Sequence, residues 1–299
     1  MDRTHVAISG SSGWIGTELI RVINESRHIN AKLTLISSQN KTIAVDTKIY
    51  KTYDFYNLPM MDPVDIYFDF AFLTRDKIKS LGLKAYRIQV LEVISASVKL
   101  IRVLKPRTVV LSSSGAVYFE KNNVHNNFDL AYSELKKVQE KLIGQVCGEN
   151  NINLVISRIF NLSGRGCDRV EHYVLPYIID KCLKNETVYL NSERLVFRRY
   201  CDISELLELL IALGQNNSSL IFDSGGPATE IRALAHSIKL ILKSESELKY
   251  LYPKEHSVVD AYLSSSFIYE DLIKSHFNKD VLSLEEQVVK SRNYLSLRQ

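Results

Sequence analysis

Residues 5–16 read HVAISGSSGWIG: an apolar run from His5 to Ser9, then glycines at 10, 13 and 16, with a helix-like stretch from Trp14 to Ile23. Lys32 to Ile36 follows as a second β-rich run, so the chain opens as strand, helix, strand with a glycine-rich turn after the first strand. A dinucleotide pyrophosphate needs backbone N–H donors at a helix amino terminus, and any side chain larger than hydrogen obstructs the turn and the approach of the phosphates. Gly10, Ser11, Ser12, Gly13, Trp14, Ile15 and Gly16 are therefore the candidate cofactor-binding turn, spaced G-x-x-G-x-x-G. Three glycines at a strand end also serve as plain structural turns; the flanking strand and helix favour binding.

The pattern then recurs. Val64 to Leu73 reads as a buried strand, Gly82 to Val103 as a long apolar helix, and Thr108 to Leu111 as a strand behind Pro106. Residues Asp129 to Cys147 carry Leu130, Leu135, Val138, Leu142 and Val146 at close to helical spacing, and Asn153 to Phe160 returns to a strand. Such alternation predicts an α/β fold with a parallel sheet and helices on both faces. Beyond Asn161 the texture changes: a loop from Ser163 to Asp168, helices over Tyr173 to Lys184 and Ile203 to Leu213, and a short strand at Val188 to Leu190. The expected division is a dinucleotide-binding domain over 1–160 and a smaller, mainly substrate-binding lobe over 161–299, with segments free to return to the sheet. Ser283 and Glu286 form a capping-box pattern ahead of a closing helix.

Composition bounds the function. The chain has 299 residues, 45% apolar or aromatic and 24% charged, enough for a large core, and its net charge of +4 is spread without a basic block. No nucleic acid or membrane partner is expected on that footing. The cysteines, Cys147, Cys167, Cys182 and Cys201, match neither zinc-ligand nor redox spacing and read as reduced structural thiols, and no metal site is expected. MDRTH passes straight into VAISG, and no later window is long and apolar enough for a membrane span, so a cytoplasmic protein is expected.

Where the second strand ends, Ser37, Ser38, Gln39, Asn40 and Lys41 stand in place of a carboxylate. Hydroxyls and a cation welcome a 2′-phosphate that Asp or Glu would repel, so Ser37, Ser38 and Lys41 point to NADP, with NAD as the alternative; a plain solvated loop also fits. Tyr132 and Lys136 stand four apart on one helix face. An ammonium close to a phenol favours the phenolate, which brings a group of pKa near 10 into range for proton exchange. Y-x-x-x-K is common by chance in a chain with 16 tyrosines, and position is what gives it weight. Upstream, SSSGAVY puts a hydroxyl-rich turn, Ser112 to Ser114, at the carboxyl end of a central strand, the edge where open α/β sheets bind ligands.

The ordered set GSSGWIG, DIYFDFAFLT, SSSGAVY, YSELK, RIFNLSGRG, FRRYCDISELLELL and SLEEQVV resembles the extended short-chain dehydrogenase/reductase family, which includes nucleotide-sugar epimerases, dehydratases and ketoreductases. The resemblance implies a Rossmann-type doubly wound parallel sheet, with Ser114, Tyr132 and Lys136 as the catalytic trio. It implies that the turn Ala71 to Thr74, through Ala71 and Leu73, walls the cofactor cleft, which Tyr132, Lys136 and Ile159 also face. Thr74, Ser114, Asn161 and Arg198 would meet the substrate, Arg198 through its diphosphate. A homodimer through the helices 82–103 and 129–147 would be typical.

Departures narrow the reading. Gly115 and Ala116 stand where 4,6-dehydratases carry an acidic pair, which speaks against dehydration. Only 18 positions separate Ser114 from Tyr132, and Arg199 and Asp202 replace the family's usual Asp and Tyr or His. The first expectation is an NADP-preferring reductase of a 4-keto-deoxyhexose on a nucleotide, with Tyr132 as general acid. A nucleotide-sugar 4-epimerase using the same trio is the runner-up, and a non-enzymatic cofactor-binding sensor or scaffold the third. His125 and His172 lack a sequence-adjacent partner and read as loop or core residues; Arg165 and Arg169 either meet substrate phosphate or are solvated; and Trp14 is expected to pack the first helix on the sheet.

Overall fold

A computed structural model describes residues 3–26, 29–56, 58–59, 62–119, 127–167, 169–254 and 257–296. The chain divides into two compact units, Met1–Ile159 with Leu210–Phe222, and Phe160–Leu209 with Asp223–Gln299.

The first unit is built on seven strands: β1 (Thr4–Ser9), β2 (Ala31–Ser37), β3 (Lys41–Val45), β4 (Lys48–Asp54), β5 (Ile66–Asp69), β6 (Thr108–Ser114) and β7 (Asn153–Ile159). With Leu220–Asp223 beyond β7 they form one sheet, ordered Leu220–Asp223, β7, β6, β5, β1, β2, β4, β3. The pairs from β7 through β4 are parallel, and the β3–β4 hairpin is antiparallel. From β1 the chain moves outward through β2 to β4, then crosses back to β5 on the other side of β1. That reversal makes the carboxyl end of β1 and β5 the switch point at which doubly wound sheets bind ligands.

Helix α1 (Trp14–Glu25) buries Leu19, Ile20, Val22 and Ile23. A short helix, α2 (Lys77–Leu81), leads through Gly82 into α3 (Leu83–Leu104), and α4 spans Asn127–Glu149. One sheet face is covered by Ala96, Leu100 and Leu104 of α3 with Ile143, Val146 and Cys147 of α4, packed on Ala7, Ile36, Tyr67, Val109 and Leu111. α3 stops where Lys105 takes a left-handed conformation ahead of Pro106, which cannot continue a helix.

The second unit is cored by Leu175, Ile178 and Ile179 of α5 (Val174–Leu183) against Leu234 and Ile238 of Ile231–Leu242 and Val288 and Leu295 of Leu284–Ser296. Its three-stranded sheet orders Ala228–Glu230, Val196–Arg199 and Asp260–Tyr262. The capping box forms as read: the Ser283 N–H donates to Glu286 at 2.8 Å and the Glu286 N–H to the Ser283 hydroxyl at 3.3 Å.

Two local expectations need correction. The strand read over Val64 to Leu73 is paired only over Ile66–Asp69, because Phe70 and Ala71 leave the sheet to pass against Gly10. Ser112 to Ser114 are strand and not turn: β6 runs fully buried to Ser114, and the turn is the 3-10 segment Gly115–Tyr118. The β3–β4 hairpin occupies residues to which the sequence reading assigns no element, and its alternation carries Lys, Thr and Tyr on a half-exposed edge.

Candidate functional site

The glycine turn lies where β1 hands over to α1. Gly10 has φ +67, and a Cβ there would sit 2.7 Å from the Phe70 carbonyl; at Gly16 it would sit 2.4 Å from the Gly10 oxygen. The Gly13 N–H donates to the Gly10 carbonyl at 3.0 Å, closing the turn. Ser11 is buried, its hydroxyl on the Ile36 carbonyl at 3.0 Å, whereas Ser12 is exposed. Gly13 is the N-cap of α1 and brings no side chain to that helix end, and Trp14 and Ile15 begin its first turn. Half-exposed Trp14 lies at the turn, outside the buried core. A helix that opens on glycine, with its entry narrowed by packing, is a cradle suited to a diphosphate.

At the end of β2 the sequence reading holds only in part. The Ser37 hydroxyl is buried and turned to Gln39 O at 2.7 Å and Thr52 Oγ1 at 2.8 Å, which commits it to the turn. Ser38 is exposed, and Lys41 starts β3. A carboxylate does stand near: Asp54 pairs with Ser37 in register on β4, with its Oδ1 accepting the Tyr56 N–H at 2.7 Å. The hairpin brings it there from 17 residues downstream, so no local pattern announced it.

Lys136 and Tyr132 project from α4 toward the ends of β5 and β6. The Lys136 ammonium is buried, donating to the Ser112 carbonyl at 3.0 Å and Gln139 Oε1 at 3.0 Å, and it lies 3.7 Å over the Phe72 ring. Tyr132 meets that ring edge-on with centroids 5.6 Å apart. Phe72, absent from the residues singled out by sequence, thus touches both groups. Its signal was an aromatic in the segment already assigned to the cleft wall, Ala71 to Thr74. In that segment the Leu73 carbonyl accepts from Tyr86 at 2.8 Å, Ala71 is half-buried and Thr74 exposed. Ser114 ends β6 two residues beyond Ser112, with its Oγ accepting the Ala116 N–H at 3.2 Å; Ile159 pairs with it in register on β7.

Burial drives the Lys136 pKa down to about 7, opposed by the charges of Asp69 and Glu140. Asp69, a second residue that sequence reading passed over, ends β5 fully buried. Its pKa is raised by burial and held down by the hydroxyls of Ser9 and Ser97 and by Lys136. An acid inside the otherwise apolar run IYFDFAFL was the available signal.

The other expected substrate contacts belong to the second unit and are engaged within it. Arg198 makes a bidentate pair with Asp260, at 2.9 and 3.0 Å, bracing neighbouring strands. The Asn161 amide donates to the Arg199 carbonyl at 3.0 Å. Buried Arg199 donates to the Gly226, Ser264 and Ser266 carbonyls and pairs with Glu270. Asp202 caps the helix Ile203–Gln215 through the Glu205 N–H and pairs with Lys290. The two departures from the family pattern, Arg199 and Asp202, are thereby structural. His172 is half-exposed beside Glu171 in the short 3-10 turn Val170–His172. Arg165 and Arg169 also lie in this unit, and His125 lies outside the described residues. The four cysteines are buried and unbridged, and burial pushes the Cys147 thiol up to about 12. Among the described residues no helix is long and apolar enough to cross a membrane.

Comparison with known proteins agrees with this architecture. The fold is similar to that of UDP-N-acetylglucosamine 4-epimerase from Methanobrevibacter ruminantium M1, solved with UDP-N-acetylmuramic acid. The TM-score is 0.74 at 20% identity, over 100% of both chains. It is similar also to UDP-glucose 4-epimerase from Thermotoga maritima, with a TM-score of 0.71 at 16% identity over 99% of both chains. Among curated proteins, UDP-glucuronic acid decarboxylase 6 from Arabidopsis thaliana is 26% identical over 119 residues, 40% of this chain and 35% of the plant enzyme. The chain thus matches about a third of that relative's length. Residues 6–222, well over half of the chain, match the sequence model of one family, and they contain the glycine turn, the Tyr-x-x-x-Lys pair and nearly all of the large sheet. The chain belongs to the NAD dependent epimerase/dehydratase family.

Proposed function

We propose that the protein is a nicotinamide-dependent oxidoreductase of a nucleotide-activated sugar, reducing a 4-keto group of a deoxyhexose. The observation that carries this reading is the buried Lys136 ammonium held on the Ser112 carbonyl, one helical turn from Tyr132, with Phe72 in contact with both. The glycine cradle at Gly10, Gly13 and Gly16 would hold the cofactor's diphosphate, and Tyr132, Lys136 and Ile159 would face its nicotinamide half. When bound, the nicotinamide supplies or accepts hydride. Tyr132 gives its phenolic proton to the oxygen that gains charge as a carbonyl is reduced, Ser114 orients that oxygen, and Lys136 stabilises the negative charge left on the phenol. Retention of all three side chains speaks against a non-enzymatic sensor or scaffold.

Ser38 and Lys41 support NADP over NAD, now without Ser37. Binding of NADPH at least about tenfold tighter than NADH, lost in Lys41→Ala, is the expected result; preference for NADH would assign the choice to Asp54. A second reading, 4-epimerisation, is favoured by the family's own description and needs the same side chains in both directions. Net redox separates the two. Purified protein given NADPH and a 4-keto nucleotide sugar should consume the reduced cofactor stoichiometrically. Interconversion of UDP-sugars with no net cofactor change would replace the reductase with the epimerase.

A further inference from the structure

Asp69 ends β5 at the switch point, in register with Ser9 of β1 and Leu111 of β6. Three hydroxyl groups converge on its Oδ1: Ser9 at 2.7 Å, Ser97 at 3.1 Å and Tyr67 at 3.3 Å. Its Oδ2 is buried with no hydrogen-bond partner among the described residues. Three donors on one oxygen suit an acceptor-only carboxylate, and a proton on Oδ2 would find no acceptor. A buried anion of this kind is costly unless a cation answers it. The cation acting on Asp69 is Lys136. The two bracket one residue: the Ser112 hydroxyl donates to the Asp69 carbonyl at 3.4 Å, and Lys136 donates to the Ser112 carbonyl at 3.0 Å.

We propose that Asp69 is a positioning residue whose carboxylate keeps the Lys136 ammonium charged, and that it thereby sets the field in which Tyr132 exchanges its proton. Its catalytic consequence rests on the function proposed above; the coupling of Asp69 to Lys136 does not. The partners of Lys136 are neutral, namely a carbonyl, an amide and a ring, and none of them supplies the countercharge. The charges that act on Lys136 are Asp69 from β5 and Glu140 from its own helix. Glu140 is spent elsewhere, accepting both arms of Arg158 at 2.9 and 2.8 Å and the Ser113 hydroxyl at 2.5 Å. Around Asp69 stand Ser9 of β1, Tyr67 of β5, Ser97 of α3 and, from α4, Lys136 and the Cys147 thiol. The network ties the amino-terminal strand, both central elements and the helix bearing Tyr132 into one electrostatic unit.

The test reads Lys136 directly. Protein labelled with carbon-13 at the lysine ε position is titrated by NMR, with Lys136→Met assigning the signal. Asp69→Asn is nearly isosteric and removes only the charge, so the Lys136 midpoint should fall by about one pH unit or more. Ser97→Ala strips one donor from the carboxylate, weakens its charge and should move the midpoint in the same direction by less. Ser97→Ala also decides the matter if Asp69→Asn fails to fold. Midpoints unmoved or raised in the variants overturn the proposal. Turnover is measured on the same samples against pH, and its alkaline limb should follow the lysine midpoint downward. A midpoint that moves while the limb stays put overturns the role in turnover and leaves the coupling standing, and a shifted midpoint in a protein without reductase or epimerase turnover overturns the proposed function alone.

Discussion

Replacing Lys136 with methionine should change how stability depends on pH, and the size of the change follows from burial. The ammonium has an ordinary pKa of 10.5 and sits near 7 in the folded protein, chiefly because it is buried. Three and a half pH units at about 1.4 kcal/mol each amount to about 5 kcal/mol of disfavoured charge. The sign follows from counting protons. Between pH 7 and 10.5 the unfolded chain keeps the proton that the folded chain has released, so the wild-type protein gains stability as pH rises through that window. Below it the lysine is charged in both states, and the whole penalty is present. Methionine fills similar volume without a charge and does not titrate. It leaves Asp69 without its cation, which raises that carboxyl further and costs the variant stability as pH rises, in the same direction. The wild-type protein should therefore gain on the variant by about 2 kcal/mol or more between about pH 7 and about pH 9. Urea unfolding followed by the fluorescence of the single tryptophan, Trp14, measures both proteins across that range. Parallel stability curves would refute a buried, titrating ammonium at position 136 and the chemistry built on it.

Tyr132→Phe removes one oxygen and should lower turnover at least about a hundredfold while cofactor affinity, read by titration calorimetry, changes little. Gly10→Ala places a methyl 2.7 Å from the Phe70 carbonyl at a φ of +67, so it should lose several times the roughly 1 kcal/mol of an ordinary left-handed alanine, seen as a fall in urea midpoint. Ser283→Ala breaks the capping box of the closing helix and should cost about 1 kcal/mol by the same measure. Arg198→Lys loses the bidentate fork to Asp260; a strut between strands predicts a cost of about 1 kcal/mol with KM for the nucleotide sugar unchanged, whereas a diphosphate ligand predicts a raised KM.

The parts of this fold that sequence announces are those whose determinants are local. The first strand, the glycine turn and α1 lie within the first 25 residues, and the glycines are required by contacts one turn apart or directly across the switch point. Tyr132 and Lys136 are legible because helical spacing alone puts them on one face. What escapes is set by pairing over distance. The β3–β4 hairpin alternates lysines, threonines and aromatics and becomes a strand pair only because β2 offers an edge; with it comes Asp54, beside a loop read as free of carboxylates. Arg198 reads from sequence without a partner, and its pairing with Asp260 comes only when the strand Asp260–Tyr262 is laid beside it. Asp69 was hidden differently, by three apolar or aromatic neighbours before it and four after it that made a buried strand the natural reading.

The location of these buried polar groups bears on their purpose. An all-apolar core is the more stable solution, because each charge taken from water must be compensated by partners of good geometry. In the first unit Asp69 and Lys136 are buried together with Ser9, Ser97 and Ser112, while Val6, Ala7, Ile8, Ile66 and Phe68, further back on β1 and β5, are buried and, except for backbone groups, apolar. The polar groups gather at the carboxyl ends of β1, β5 and β6, where the sheet's topology opens a ligand site, and the amino-terminal ends lack an equivalent charge pair among the described residues. Arg107 and Asp65 at those opposite ends are both solvent-accessible and form an ordinary surface pair. A carboxylate that served only to pin strands would do so as well at either end and with its second oxygen bonded. Asp69 is found at the carboxyl edge of the sheet, with Oδ2 unbonded among the described residues and the charge of a lysine of near-neutral pKa acting on it, the arrangement expected when stability is yielded for control of charge.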